Sequence, residues 1–309
     1  MRVLVTGGSG YLGSAIVRAL VRQGHDPIVF ARRASAAGLP GQAVDGDVRD
    51  RHAIMTAARG VDAIIHAAAL VSLWQPSPAI FDEINIGGLE SALDVARTSG
   101  IRRVVYTSSF LALPPAGATT ALCANDYQRT KVRAREVAQA AAARGEPVVI
   151  LVPGVLYGPG PPNEANLVGR LIDDHRRGHL PGIVGSDRCW SYAHVDDVAD
   201  AHVAAIVRPL AATEYVLGGE NAPQMRIFEI WRDLTGTPLP RRIPFAAASA
   251  MGWLEECRAT MTRRPPIITR GAVKIFRHDW TLNSSRSVEE LSYRIRPLES
   301  GVKTLFSTR

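Results

Sequence analysis

The feature that most constrains the fold is an apolar run, Val3–Val5, that leads into three glycines spaced three apart, Gly7, Gly10 and Gly13. The run predicts a buried strand, and glycines directly after it let the backbone turn sharply and pass close to a phosphate. The first amides of the following helix would face that phosphate. A glycine-rich turn that binds nothing is the alternative, so the pattern needs a second signal.

The second signal is the pair Tyr127 and Lys131, which lie four residues apart and share one face of a helix. The chain has 36 basic residues, and the lysines among them are Lys131, Lys274 and Lys303. A phenol has an unperturbed pKa of about 10, so a tyrosine that exchanges protons near neutral pH needs a positive charge beside it. An ammonium supplies that charge and can also reach a ribose. An exposed helix that carries both residues by chance is the alternative.

Hydroxyl groups follow a strand predicted over residues 101–106, at Thr107, Ser108 and Ser109. Ligands of open α/β sheets bind at the carboxyl ends of the strands. A serine at that edge can hold a substrate carbonyl while the tyrosine exchanges the proton, with Ser109 the first candidate and Ser108 the second. Serines that only satisfy local backbone groups are the alternative. Together the three signals favour a nicotinamide-dependent redox enzyme.

Further segments give the chain a resemblance to a known family. They are Gly46–Asp50, His66–Ala69, Ile84–Gly87, Pro153–Pro159, Trp190–Val198, Gly218–Asn221 and Arg277–Trp280. With the glycine turn and the Tyr127/Lys131 pair, they make the chain similar to the extended short-chain dehydrogenase/reductases of the NAD-dependent epimerase/dehydratase superfamily. Within it, the chain resembles the dihydroflavonol reductase-like and farnesol dehydrogenase-like branch. The resemblance runs nearly end to end.

The alternation of elements and the resemblance imply an α/β fold, a Rossmann-type doubly wound parallel sheet with a smaller C-terminal substrate lobe. Residues 1–157, with a return segment at about 192–218, are expected to form the dinucleotide-binding domain. Residues 158–191 and 219–309 are expected to form the substrate lobe. Strands are predicted at 2–6, 27–31, 43–47, 62–67, 103–107, 147–152 and 215–217, and a long helix at 81–98.

The resemblance also assigns roles to residues. It implies a catalytic group of Ser109, Tyr127, Lys131 and Asn85, with Asn85 supporting a proton path. The expected cofactor-binding residues are Gly7, Gly10, Tyr11, Leu12, Gly13, Arg32, Arg33, Asp47, Val48, Ala67, Ala68, Ala69, Lys131, Pro153, Gly154 and Val155. The expected substrate-binding residues are Trp74, Phe110, Leu111, Asn166, Leu167, Arg170 and Trp190.

The choice of cofactor is predicted from the residues directly after the second strand. NAD enzymes of this fold usually place an acid there to bind the ribose 2′-hydroxyl. No Asp or Glu occurs between Pro27 and Val44, and the strand runs instead into Arg32 and Arg33. Two guanidinium groups can bind a 2′-phosphate, so NADP(H) is favoured over NAD(H). Some farnesol dehydrogenase-like relatives carry a similar arginine pair and use NAD, which leaves NAD(H) as the alternative.

The predicted activity is interconversion of a carbonyl and an alcohol on a small hydrophobic molecule, with Tyr127 as acid or base. Eighteen positions separate Ser109 from Tyr127, a shorter loop than relatives usually have, so the substrate cannot be carried over from the family. The loop begins with the apolar residues Phe110–Leu113, which favours a hydrophobic substrate over a sugar.

Two rival functions remain. Nucleotide-sugar dehydratases of the family usually add an Asp-Glu pair beside the catalytic hydroxyl, whereas Phe110 and Leu111 follow Ser109 here. Epimerases commonly present an asparagine after the sixth strand, where this chain has Val152 and Pro153. Regulators that sense NADP without catalysis typically lose the tyrosine and the lysine, which this chain keeps.

Composition and charge argue against several other classes of protein. The net charge is +7, but the arginines are dispersed in runs no longer than two, which favours solvated faces over a nucleic-acid site. No apolar run reaches the ~18 residues of a membrane span, so a cytoplasmic enzyme is expected.

The three cysteines are scattered, as reduced thiols would be. His175 and His179 have helical spacing without a third ligand nearby, so no metal is predicted. A homodimer through helices at 81–98 and 127–144 is one expected assembly.

Overall fold

The computed structural model describes residues 1–305, and a seven-stranded parallel sheet forms its centre. Its strands are β1 (Arg2–Thr6), β2 (Asp26–Ala31), β3 (Gln42–Asp45), β4 (Ala63–His66), β5 (Val104–Thr107), β6 (Val148–Pro153) and, later in the chain, β10 (Glu214–Leu217). Their order is β3-β2-β1-β4-β5-β6-β10, with Val5 of β1 beside Val29 of β2 and Ile65 of β4. The order reverses between β1 and β4, which is the doubly wound arrangement that the sequence predicts.

Twelve α-helices accompany the strands in the described residues. They are α1 (Tyr11–Arg22), α2 (Arg51–Ala57), α3 (Ala79–Asp82), α4 (Gly88–Thr98), α5 (Asp126–Ala143), α6 (Leu167–Arg176), α7 (Val195–Val207), α8 (Gln224–Thr235), α9 (Phe245–Thr262), α10 (Arg270–Phe276), α11 (Ser285–Leu291) and α12 (Leu298–Thr304). Among residues 1–305, no helix has both the length and the apolar character that crossing a bilayer requires.

The helix predicted over 81–98 is present and contains a π-helical turn. A π-helical segment at Glu83–Gly87 separates α3 from α4. Such single-turn segments insert an extra residue into the helical ladder and often occur at functional sites. Here the segment contains the buried Asn85.

Apolar helix faces cover both sides of the central sheet. Val3 and Val5 point to the side covered by α1 and α7, whereas Leu4 and Ile64 point to the side covered by α2, α4 and α5. Successive side chains of each strand point to opposite faces of the sheet and therefore pack into two separate cores. This is expected for a parallel sheet that is buried on both faces.

The smaller lobe contains two further sheets. One has the order β11 (Glu220–Pro223), β9 (Cys189–His194) and β7 (Val155–Tyr157), and the other pairs β12 (Arg242–Ile243) with β8 (Ile183–Val184). The β7 strand, which sequence places in the first domain, thus pairs with β9 rather than with the central sheet.

A late segment returns to the larger core. Leu291 and Tyr293 pack in the same cluster as α1 and α7, and Ser287 Oγ donates a hydrogen bond to the Val216 carbonyl over 2.6 Å. These residues fall within the range assigned by sequence to the substrate lobe. The structure attaches them to the central sheet because their apolar side chains complete its outer layer.

Candidate active site

A cavity of about 840 Å³ lies at the carboxyl ends of the central strands, between the sheet and the smaller lobe. All sixteen predicted cofactor-binding residues line it, from the glycine turn after β1 to Pro153, Gly154 and Val155 after β6. The structure therefore brings that entire set together. The volume is within the range of small-molecule and cofactor sites.

The glycine turn leaves no room for side chains. Gly7 has a φ of +69°, and a Cβ added to it would lie 2.6 Å from the Ala68 Cα. A Cβ on Gly13 would lie 2.1 Å from the Gly7 carbonyl oxygen. Helix α1 begins after Gly10 without a side-chain cap and without an acidic residue in its first turn. Uncapped amides at the cavity wall fit a pyrophosphate group.

The end of β2 carries the two arginines. Arg32 and Arg33 are exposed and line the cavity, and within residues 1–305 neither side chain makes a hydrogen bond or an ion pair. Asp47 lies on the same wall, where hydrogen bonds from Arg49 hold the pKa of its carboxyl group below the usual range, with a smaller effect from Arg32. The wall thus presents positive charge that is free to bind an anion.

Ser109, Tyr127 and Lys131 meet on the opposite wall. Tyr127 and Lys131 lie on the first turns of α5, which Asn125 caps by accepting a hydrogen bond from the Gln128 amide over 2.8 Å. The Tyr127 and Ser109 side chains both line the cavity, where Ser109 is near enough to influence the pKa of Tyr127. Lys131 Nζ donates to the Thr107 carbonyl over 2.9 Å, at the end of β5.

Burial shifts the pKa values of Tyr127 and Lys131 in opposite directions. Burial raises the pKa of Tyr127 to about 12, and the nearby Ser109 hydroxyl has the opposing effect. Burial lowers the pKa of Lys131 to about 7. The lowering of the Tyr127 pKa by Lys131 stays a prediction, because burial is the main influence on the pKa of each group in this structure. Tyr127 is protonated at neutral pH and suited to donate a proton.

Asn85 does not line the cavity. It is buried behind it, where its Oδ1 accepts from the Leu70 amide over 2.7 Å and its Nδ2 donates to Thr130 Oγ1 over 2.9 Å. Leu70 belongs to the cavity wall, and Thr130 precedes Lys131 on α5. Asn85 therefore ties the segment after β4 to the helix that carries the tyrosine and the lysine.

The half of the cavity beyond Ser109 is largely apolar. Of the predicted substrate-binding residues, it contains Phe110, Leu111, Leu167, Arg170 and Trp190. The Trp190 ring stacks on Phe276 with centroids 5.1 Å apart, and Phe110 lies 5.9 Å from Trp190. Arg170 has Asp174 3.6 Å away. The wall is aromatic, with the charged pair Arg170 and Glu164, 3.9 Å apart, at its margin.

Two predicted substrate-binding residues do not line the cavity. Asn166 is fully buried and caps α6, accepting from the Gly169 amide over 3.2 Å and donating to the Gly158 carbonyl over 3.3 Å. The side-chain amide of Asn166 is therefore hydrogen-bonded to backbone groups and does not line the cavity. Trp74 lies outside the cavity wall, on the turn in which Ser72 Oγ donates to its carbonyl over 2.9 Å.

The structure adds residues that sequence reasoning did not assign. They include Leu70, Val71, Leu73, Glu164, Ala272, Ile275 and Phe276. For Ala272, Ile275 and Phe276, the available sequence signal was the neighbouring segment Arg277–Trp280. There the His278 carbonyl accepts from Trp190 Nε1 over 3.1 Å, and Asp279 Oδ1 accepts from the Cys189 amide over 2.8 Å. These bonds attach α10 to β9, so a segment distant in sequence forms part of the wall.

This fold and this site define a dinucleotide-binding enzyme of the extended short-chain dehydrogenase/reductase type. The chain belongs to the NAD dependent epimerase/dehydratase family, whose model matches residues 3–218. It is accordingly an NAD(P)-dependent oxidoreductase or epimerase.

Three relatives cover most of the chain. Sterol demethylase protein B of Methylococcus capsulatus is 32% identical, over 94% of this chain and 93% of its own. A putative dihydroflavonol 4-reductase of Synechocystis is 29% identical, over 93% and 88%. A 4-hydroxy-2-methyl-3-oxo-4-farnesyl-3,4-dihydroquinoline-1-oxide ketoreductase of Stigmatella aurantiaca is 28% identical, over 95% and 92%. The resemblance to the dihydroflavonol reductase-like branch is confirmed.

Solved structures agree on the fold. A crystal structure of gox2253 has a TM-score of 0.81 and 27% identity, and covers 99% of this chain and 96% of its own. A UDP-glucose 4-epimerase from Thermotoga maritima, solved with UDP-glucose, has a TM-score of 0.78 and 20% identity, over 99% and 97%. The second likeness concerns the fold alone.

Proposed function

We propose that the protein is an NADP(H)-dependent reductase of a ketone or aldehyde on a small hydrophobic molecule. The observation that carries this proposal is the meeting of Ser109, Tyr127 and Lys131 between a phosphate-binding glycine turn and an aromatic wall. The relatives named as reductases support the reaction class, and the farnesyl group in the name of one of them supports an apolar substrate.

In the proposed reaction the bound nicotinamide supplies the hydride. Ser109 holds the carbonyl oxygen by a hydrogen bond, and Tyr127 donates its proton to the same oxygen. The raised pKa of Tyr127 keeps this proton in place at neutral pH. Positioned acid catalysis of this kind contributes a factor on the order of 10² to 10⁴. In the oxidative direction the same tyrosine would accept the proton from the alcohol, by microscopic reversibility.

Lys131 has a positioning role in this scheme. Its ammonium is bound to the Thr107 carbonyl and lies 5.0 Å from the centroid of the Tyr106 ring. It lines the cavity beside Tyr127, within the part expected to hold the nicotinamide ribose. A compact ammonium fits this enclosed place, whereas a guanidinium group would need more space and more partners.

Preference for NADP(H) rests on Arg32 and Arg33. Their free guanidinium groups line the cavity at the end of β2, where an acid would be expected to bind an NAD ribose. A 2′-phosphate would give them a partner through charge-assisted hydrogen bonds. NAD(H) offers them no phosphate at that position.

A nucleotide-sugar epimerase is the second candidate, because the fold is shared with epimerases. The apolar wall argues against it. Phe110 and Leu111 are buried directly after Ser109, where a sugar would need hydrogen-bond partners. A regulator without catalysis is the third candidate, and the complete Ser109, Tyr127 and Lys131 group argues against it.

The proposal is tested by incubating the purified protein with NADPH and a panel of hydrophobic ketones and aldehydes, and with NADP⁺ and allylic alcohols. Consumption of NADPH that depends on an apolar carbonyl is expected. Conversion of UDP-glucose without net change in the cofactor would support the epimerase instead. Binding of NADPH with no turnover of any compound would support the regulator.

A further inference from the structure

Helix α9, on the outside of the smaller lobe, exposes its large apolar side chains. The exposed fractions are 39% for Met251, 52% for Trp253, 59% for Leu254 and 86% for Met261, and 66% for Ile267 in the segment after the helix. The buried positions of the helix are the small residues Ala248, Gly252 and Ala259. A surface helix of a globular protein normally shows the reverse, with its large apolar residues facing the core. We call the five exposed residues the α9 face.

The inward side of α9 accounts for its buried positions. A Cβ added to Gly252 would lie 2.9 Å from the Arg270 amide nitrogen, so the helix packs closely on the start of α10. Both acidic residues of α9 are ion-paired, Glu255 with Arg258 at 2.8 Å and Glu256 with Arg270 at 2.6 Å. The helix therefore adds no unpaired carboxylate to its exposed side.

Arginines flank the α9 face at both ends. Arg241 and Arg242 precede the helix, and Arg263 and Arg264 follow it. All four are exposed, and none of their side chains makes an ion pair with another described residue of 1–305. Along the chain, the four exposed apolar residues of the helix thus lie between two pairs of free positive charges, and Ile267 follows the second pair.

We propose that the α9 face binds the surface of a membrane that contains anionic lipids. Apolar side chains that include a tryptophan enter the boundary between headgroups and acyl chains, and the flanking arginines bind lipid phosphates. The helix lies on the surface rather than crossing it, since α9 is not apolar enough to span a bilayer. The proposed binding partner of the α9 face is therefore a negatively charged lipid surface.

A second copy of the chain fits the same face less well. Two-fold pairing of the face would lay two copies of α9 side by side, either antiparallel or crossed. In the antiparallel case Arg241 and Arg242 would meet Arg263 and Arg264 of the other copy. Like charges brought together in this way oppose association. Anionic lipid, in contrast, neutralises all four.

The position of the α9 face relates it to the cavity. Helix α10, which packs on the inner side of α9, contributes Ala272, Ile275 and Phe276 to the cavity wall. One short helix therefore separates the proposed membrane contact from the apolar half of the site. Uptake of a hydrophobic substrate from the bilayer is a consequence of this placement. That consequence rests on the proposed reductase function, whereas membrane binding itself does not.

Flotation of the full chain with vesicles tests the proposal. Vesicles of phosphatidylcholine alone are compared with vesicles that also contain phosphatidylglycerol, at low and high salt. The wild-type protein is expected to float with the anionic vesicles and to be released by salt. The double variant Trp253→Ser, Leu254→Ser and the double variant Arg263→Glu, Arg264→Glu are each expected to lose binding by about tenfold or more.

Matched controls change equally exposed residues elsewhere. Val207→Ser with Val288→Ser removes apolar side chains that are 50% and 43% exposed, and Arg59→Glu with Arg102→Glu reverses exposed charges that precede β4 and β5. Both controls are expected to bind vesicles as the wild type does. Urea unfolding is measured for every variant, so loss of membrane binding is separated from loss of the fold without reference to the proposed activity.

Three outcomes would overturn the proposal. The first is a wild-type protein that floats with neither kind of vesicle. The second is binding that is equal for neutral and anionic vesicles and insensitive to salt. The third is a dimer in sedimentation velocity that the Trp253→Ser, Leu254→Ser variant abolishes, without binding to vesicles, which would make the face a contact between copies.

Discussion

Lys131 Nζ donates a hydrogen bond over 2.9 Å to the carbonyl oxygen of Thr107, the last residue of β5. The bond ties the helix that carries Tyr127 to the strand that leads into Ser109. The three groups of the proposed reaction are thus held by one strand end and one helix. Changes at either residue of this bond are expected to affect geometry as well as charge.

Replacing Tyr127 with phenylalanine should remove the proton donor and little packing. Turnover is expected to fall by a factor on the order of 10² to 10⁴, with affinity for NADPH changed by no more than a few-fold. Steady-state kinetics and cofactor titration measure the two effects. The control Tyr157→Phe deletes another buried hydroxyl, one with no hydrogen-bond partner among residues 1–305, and should keep full turnover. If Tyr127→Phe keeps more than about a tenth of the wild-type rate, Tyr127 is not the acid.

The pH dependence of stability should carry the signature of buried Lys131. Its pKa is lowered from 10.5 to about 7. Between these values the unfolded chain binds a proton that the folded chain has released, so this group makes the free energy of unfolding rise with pH across that window. Below about pH 7 the buried Lys131 side chain is charged, and its lowering of the free energy of unfolding is present in full.

Lys131→Met is expected to flatten that rise in urea unfolding measured between about pH 7 and 9. Lys274 is exposed, and Lys274→Met should leave the slope of the wild type unchanged. An identical slope in the wild type and in Lys131→Met would show that the buried ammonium is not strained by its surroundings.

Replacing Arg32 and Arg33 together with alanine should weaken NADPH binding about tenfold to a hundredfold, because charge-assisted hydrogen bonds to the 2′-phosphate are lost. NADH binding should change little. Dissociation constants for both cofactors measure the effect. The variant Arg59→Ala with Arg102→Ala removes the same charge far from the cavity and should alter neither constant. Equal losses for the two cofactors, or a wild type that prefers NADH, would assign the protein to NAD-linked chemistry.

Asn85→Ala should destabilise the fold by about 1 to 3 kcal/mol, since the Leu70 amide and the Thr130 hydroxyl lose a buried partner. Urea unfolding measures this. Asn85→Asp keeps the acceptor for Leu70 and should recover part of the stability. If Asn85 positions the catalytic helix, Asn85→Ala lowers the turnover number more than it raises the KM for NADPH. Unchanged turnover in a folded Asn85→Ala protein would leave it a purely structural role.

Local patterns predicted the central sheet and the cofactor half of the site. Apolar strands and the glycine spacing at Gly7, Gly10 and Gly13 are short-range signals, and the carboxyl ends of parallel strands necessarily meet at one edge. The strand edge accounts for Arg32 at the end of β2, whereas the resemblance to the family placed Val155 in the same cavity. The six strands predicted between residues 2 and 152 have bounds within two residues of those observed.

Features that depend on long-range packing could not be predicted from the sequence. Asn166 was assigned to the substrate, but its amide caps α6 and binds Gly158. Ile275 and Phe276 reach the cavity because residues near 278–279 bind β9, and the segment Arg277–Trp280 by itself does not predict that contact. The pKa of Lys131 reflects complete burial, which depends on the assembled fold.

The central claim is that Tyr127 protonates an apolar carbonyl that receives hydride from the nicotinamide. The most direct measurement uses NADPH carrying deuterium at the transferable position, a reactive hydrophobic ketone and mass spectrometry of the product. The account predicts an alcohol with one deuterium on its carbinol carbon, formed by the wild-type protein and by Tyr157→Phe but not by Tyr127→Phe. An unlabelled product, or equal labelling by Tyr127→Phe, would contradict it.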